Sequence, residues 1–138
     1  MNVPEDCKHK DSFTKREEKE GYECEVILRG GTIVEHDGCV TNGGCDLIAY
    51  DNNRFFLIEI KGGKISSERA KEIVEQIENC ESYYNIFVGH RRKIRLFLWY
   101  KKDKKERKRI DNFAREKLKR NKIRIEVCQG SFDLTNYD

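Results

Sequence analysis

One proline, one methionine and one tryptophan occur in 138 residues. So little proline argues against an extended linker or a proline-rich segment. No apolar run approaches the roughly 18 residues of a membrane span, and the N-terminal "MNVPEDCKHKDSF" lacks the apolar centre of a signal peptide. There is no CxxC pair, no Cys/His spacing of a zinc site and no internal repeat. These absences lead us to expect a soluble, cytoplasmic protein with no membrane partner. The six cysteines (Cys7, Cys24, Cys39, Cys45, Cys80, Cys128) then read mostly as small buried hydrophobes. The alternative is a disulfide or two, as in intracellular hyperthermophile proteins.

Charge is abundant, at 38 % of residues against 37 % hydrophobic, and it is unevenly spread. Residues 1–90 hold 11 Lys/Arg against 18 Asp/Glu, whereas residues 91–124 hold 17 against 4. An acidic part suits cations and a basic part suits a polyanion such as a nucleic-acid backbone. By itself, a run such as "KKDKKERKR" also fits a solvated helix face.

At this length a single domain is expected over 1–138, with residues 1–11 as a loose polar arm. A helix starting at Asp11 or Ser12 and running through "TKREEKE" is one expectation. It ends either at Gly21, before a hairpin that turns at Gly30-Gly31, or at Arg29, before a strand from Thr32 to His36. Two strands follow, near 45–51 and 54–61. "ISSERAKEIVEQIENCESYY" has the spacing of a helix capped by Ser66 or Ser67, with Ala70, Ile73, Val74 and Ile77 on its apolar face. "NIFVGH" and "KIRLFLWY" read as strands. A basic helix near 103–120 carries Ile110, Phe113, Ala114 and Leu118, and "KIRIEVC" is read as a last strand. The order predicts an α/β domain with a mixed central sheet covered by helices.

The stretch "CDLIAYDNNRFFLIEIK" carries the chemistry. Asn52-Asn53 suits a two-residue hairpin turn, which pairs position i with position 105 − i. Asp46 then faces Glu59 directly, and Lys61 lies on the same face two residues on. Strands apolar on both faces are buried, and opposed acids there need neutralising. A proton, Lys61 or a divalent cation would each serve. A hard cation such as Mg²⁺ commonly uses one or two carboxylates plus substrate phosphate. A water acidified by that metal and oriented by lysine suits phosphodiester hydrolysis.

Asp46, twelve residues, then Glu59-Ile60-Lys61, on a hairpin followed by a helix, resembles the core of the PD-(D/E)XK nuclease superfamily. Archaeal Holliday-junction resolvases and RecB-like nucleases belong to it. The similarity covers about residues 12–90. It implies a restriction-endonuclease-like fold, with Asp46, Glu59 and the Ile60 carbonyl binding Mg²⁺ or Mn²⁺ and Lys61 placing the water. It also implies a helical glutamine, which would be Gln76, near the catalytic group. Cys45 stands where the family has proline. Cys80 stands four residues after Gln76, where RecB-like members have tyrosine. A further glutamate from the first helix is common in the family, and Glu18, Glu20, Glu23 and Glu25 are all candidates for it.

The expected activity is therefore a metal-dependent nuclease acting on nucleic acid, DNA before RNA. Arg91, Arg92, Lys93, Lys101, Lys102, Lys104 and Lys105 would grip phosphates. Recognition would be by backbone and shape, with a homodimer as one route. The rival is a binding module on the same fold, with the triad left as a salt bridge. His36 and His90 read as exposed turn residues, and Trp99 as core.

Overall fold

The computed structural model describes residues 3–118 and 122–138, giving only the backbone of residues 117 and 118. A 3-10 turn (Glu5–Cys7) leads into strand β1 (Lys8–Glu17), a second (Glu18–Glu20) joins it to β2 (Tyr22–Glu35), and β3 (Leu47–Tyr50) and β4 (Arg54–Lys61) follow. Helices α1 (Ser67–Tyr83) and α2 (Asn85–Val88) come next, then β5 (Arg92–Trp99), α3 (Lys104–Leu118), β6 (Arg124–Val127) and β7 (Gly130–Asp133). The seven strands form one mixed sheet in the order β1-β2-β3-β4-β5-β6, with β7 parallel to β2. Strands β1 to β4 pair antiparallel in sequence order, whereas β4, β5 and β6 are parallel and joined through α1 and α3.

The hairpin has the expected register. Leu47 pairs with Ile58, Ile48 with Leu57 and Tyr50 with Phe55. Asp51 closes the turn by accepting the N–H groups of Asn53 and Arg54 through Oδ1, at 2.9 and 2.8 Å. That side-chain mimic of a backbone turn is a common use of Asp. Strand β4 is apolar on both faces because each face meets a separate core. Ile48, Phe55, Leu57, Phe97 and Trp99 meet Ala70, Ile73, Val74 and Ile77 of α1 and Ile110 and Ala114 of α3. Phe56, Ile58, Ile60, Leu96 and Leu98 meet Cys24, Val26 and Leu28 of β2.

Several expectations need correcting. Residues 12–17 are strand rather than helix, because "TKRE" pairs with β2 along its length and Arg16 reaches Glu23 across the strands at 3.1 Å, and only Glu18–Glu20 make a 3-10 turn. Among the described residues the N-terminal arm is not loose. Cys7 is buried, and residues 8–11 already belong to β1. "NIFV" is a turn of helix, not a strand, and a further strand, β7, follows the one expected to be last. The helices line one face only. The other is closed by the first half of β2, which folds over at Gly30-Gly31, where the β1 register jumps between Lys10 and Asp11. A Cβ on Gly31 would meet the Leu28 side chain at 2.6 Å and the Tyr50 carbonyl at 2.9 Å, so this bend requires glycine. The expected place of Leu118 on the apolar face of α3 lies outside the described side chains.

The cysteines are not lone hydrophobes. All six are paired, as Cys7–Cys39, Cys24–Cys128 and Cys45–Cys80.

Candidate functional site

At the end of the β3–β4 hairpin, away from its turn, Asp46 and Glu59 hold each other by reciprocal bonds to the backbone. The Asp46 N–H donates to Glu59 Oε1 at 3.0 Å, and the Ile60 N–H donates to Asp46 Oδ2 at 2.8 Å. Each carboxylate thus uses one oxygen for orientation. The other oxygens face ammonium groups at longer range: Asp46 Oδ1 lies 3.8 Å from Lys15 Nζ, and Glu59 Oε2 lies 3.6 Å from Lys61 Nζ. Because the N–H and C=O of one strand residue point to the same side, the Ile60 carbonyl also turns toward Asp46.

The pair is nearly dry, with Asp46 7 % and Glu59 2 % exposed. Burial, reinforced by the Asp46 carboxylate and opposed by Lys61, pushes the Glu59 carboxyl well above the usual range. Burial alone would lower the Lys61 ammonium, but Glu59, Asp46, Glu17 and Glu72 outweigh it and raise it. Lys61 is a fixed cation that can orient and donate rather than a base that accepts a proton.

Among the described residues, no group of three or more His, Cys, Asp or Glu side chains is placed to hold a metal ion. Two carboxylates, each with an oxygen unused by the backbone, still suit a hard cation that completes its shell with water and phosphate. Gln76 is half-buried on α1, one helical turn before Cys80, and its Oε1 is buried without a hydrogen-bond partner among the described residues. Of the glutamates expected from an N-terminal helix, Glu20 comes near, paired with Arg69 at 2.7 Å. Sequence reasoning missed Glu17, which accepts the Gly62 N–H at 3.0 Å and pairs with Arg69 at 3.3 Å. It was out of view because the segment was read as helix; a strand ending at Glu17 brings it beside Lys61. Gly62 has a packing reason, since a Cβ there would meet the Tyr22 side chain at 2.6 Å.

The basic residues divide. Strand β5 runs parallel to β4 with Arg92 opposite Arg54 and Phe97 opposite Glu59. That places Arg91, Arg92 and Lys93 about 16 Å from the acids, at the far end of the sheet. Lys93 pairs with Glu81 at 2.8 Å, and Arg91 donates to the Asp51 and Phe87 carbonyls. Arg91 and Lys93 are thus engaged by the framework, Arg92 is exposed beside Asp138 at 3.4 Å, and all three stand at a distance from the acids. The second cluster sits at the site's end of the sheet, where Trp99 pairs with Lys61. Lys101 lies over the Trp99 and Tyr100 rings and meets Glu106 at 3.1 Å, while Lys102, Lys104 and Lys105 are exposed.

His36 is not an exposed turn residue. It is 1 % exposed, and its Nδ1 lies 2.6 Å from the Tyr84 hydroxyl. Burial, partly offset by Asp37, lowers its imidazole. Its N–H donates to the Asp46 carbonyl at 3.0 Å, continuing the β2–β3 register by one pair. That register, extended from Thr32, was the signal that could have found it. His90 is exposed as expected, and Trp99 is core, its indole N–H donating to the Gly63 carbonyl at 2.7 Å. No family model matches this sequence, and neither a curated protein nor a solved structure matches it.

Proposed function

We propose that the chain is a metal-dependent nuclease with a restriction-endonuclease-like fold, as its resemblance to the PD-(D/E)XK superfamily implies. The observation that carries this reading is the buried Asp46–Glu59 pair, oriented by backbone N–H groups, each acid with a second oxygen turned to a lysine. Asp46 and Glu59, with the Ile60 carbonyl, would hold Mg²⁺ or Mn²⁺. Such an ion supplies an acidified water and screens the scissile phosphate. Lys61, kept cationic by the surrounding carboxylates, orients that water and offers a donor to a phosphate oxygen. Gln76 brings an unpaired amide oxygen from α1. Lys101, Lys102, Lys104 and Lys105 give the substrate backbone a positive approach on one side. DNA is the expected polymer. Three disulfides suit an oxidising compartment, or a cytoplasm of the hyperthermophile kind.

One observation favours the rival reading, a binding module without catalysis. The acids already have backbone donors and lysine partners, as a structural ion cluster would. Cleavage of labelled single-stranded, duplex, flap and four-way-junction DNA by wild type and Glu59→Ala decides between them. The nuclease reading expects cutting that needs both Mg²⁺ or Mn²⁺ and Glu59. Binding of these DNAs without cutting of any, or of RNA, favours the module.

A further inference from the structure

The Cys45–Cys80 bond joins the start of the acid pair to the helix layer. Cys45 is the residue before Asp46, and Cys80 lies on α1 one turn after Gln76. Both cysteines are fully buried, and the Cys45 N–H points at Cys80 Sγ, 2.9 Å away. The position of Asp46 needs such help, because β3 begins only at Leu47. Within the sheet, Asp46 is held by the His36 N–H on one side and by Glu59 and Ile60 on the other. The disulfide adds a tie in the third direction, to the helix layer. The residues just before it, Gly43 and Gly44, have φ of 96° and 80°, conformations open to glycine that give a released loop wide freedom.

We propose that the Cys45–Cys80 disulfide is a positioning element of the Asp46–Glu59 site, so that the site takes up a divalent cation with full affinity only in the oxidised chain. The inference rests on the reading of that pair as a cation site. Reduction by a dithiol transfers two electrons: one thiolate attacks a sulfur of the pair, the S–S bond breaks, and the second thiol resolves the mixed disulfide. Cys45 and Cys80 are left as thiols and the reductant as a cyclic disulfide. Asp46 then keeps its sheet contacts but loses its tie to α1.

The test is Mn²⁺ binding by titration calorimetry to the oxidised wild type, to C45A/C80A, and to C24A/C128A as control. The control removes a disulfide of the opposite core, where Cys24 and Cys128 lie. Thermal melts and circular dichroism accompany each titration. We expect C45A/C80A to bind Mn²⁺ about tenfold more weakly or worse, in the range found for outer-shell partners of metal ligands. The control should lose stability while keeping wild-type affinity. Where C45A/C80A does not fold, wild type reduced with dithiothreitol, desalted and titrated, then reoxidised, should lose and regain affinity, and so should C7A/C39A/C24A/C128A, which keeps the Cys45–Cys80 bond alone. Equal affinity of C45A/C80A and wild type, or of reduced and oxidised wild type, overturns the inference and leaves the nuclease reading standing. An oxidised wild type that binds no Mn²⁺ overturns both.

Discussion

Replacing Glu59 by Gln in the cation-free protein tests whether the acid pair is as dry as its geometry says. In the unfolded chain Glu59 ionises near the ordinary value of 4.5, and in the fold burial and Asp46 hold it well above that. Between the two values the folded state carries one proton more than the unfolded state. Stability must then fall as pH rises above 4.5, by up to about 1.4 kcal/mol per pH unit for a single proton. The loss stops once the pH passes the folded value. His36 works in the opposite sense, because its lowered imidazole gives stability above the usual 6.5 that is lost as pH falls. Lys61 is raised from 10.5, so its contribution is complete below that value and fades only above it. The difference between wild type and Glu59→Gln isolates the one acid. Glutamine keeps the size of the side chain, and its oxygen can accept the Asp46 N–H.

Urea melts in EDTA, taken from pH 4 to 8, should give a difference between the two proteins that widens with pH in favour of Glu59→Gln. Excess Mg²⁺ should narrow it by stabilising the wild type alone. A difference that does not change with pH would mean that Glu59 ionises like a solvated carboxylate, and the account of the site would fail.

Two further outcomes follow from the placement of basic residues. Arg54 grips Asp51 and donates to the Leu134, Thr135 and Tyr137 carbonyls at 2.8 to 3.0 Å. Arg54→Ala should cost about 3 kcal/mol in urea melts and speed amide exchange at residues 134–137. Unchanged exchange there would refute the clamp. K102A/K104A/K105A should reduce the slope of log DNA affinity against log salt by about 2 to 3, whereas R92A/K93A should leave it unchanged. The reverse pattern would put the nucleic-acid path at the other end of the sheet.

The parts of this fold visible in the sequence were those governed by local chemistry. Asn52-Asn53 and the flanking apolar runs set the hairpin register and brought Asp46 opposite Glu59. Of the two serines expected to cap α1, Ser66 does so, accepting the Arg69 N–H at 3.1 Å. The misreadings came where distant partners decide. "TKREEKE" has good helix formers, yet its first part is a strand because β2 offers a full ladder and opposite charges. Four residues, Asn85–Val88, are too few to show a period. Six cysteines allow 15 pairings, and nothing local selects Cys24 with Cys128. His36 looked like a loop residue because its burial depends on α1 arriving above it, which brings Tyr84 to its ring.

The closing of the second core by β2 and β7 has a consequence for biosynthesis. Cys24 waits for a partner 104 residues later in the chain, and β7 must add beside β2 before the face carrying Phe56, Ile58 and Leu96 is covered. A ribosome making this chain therefore exposes a half-covered sheet until residues near 134 have emerged. Meanwhile Cys24 has Cys7, Cys39 and Cys45 as nearer thiols. Correct oxidation is a late event that competes with early wrong pairs, and the yield of native protein should depend on thiol exchange more than on the rate of translation.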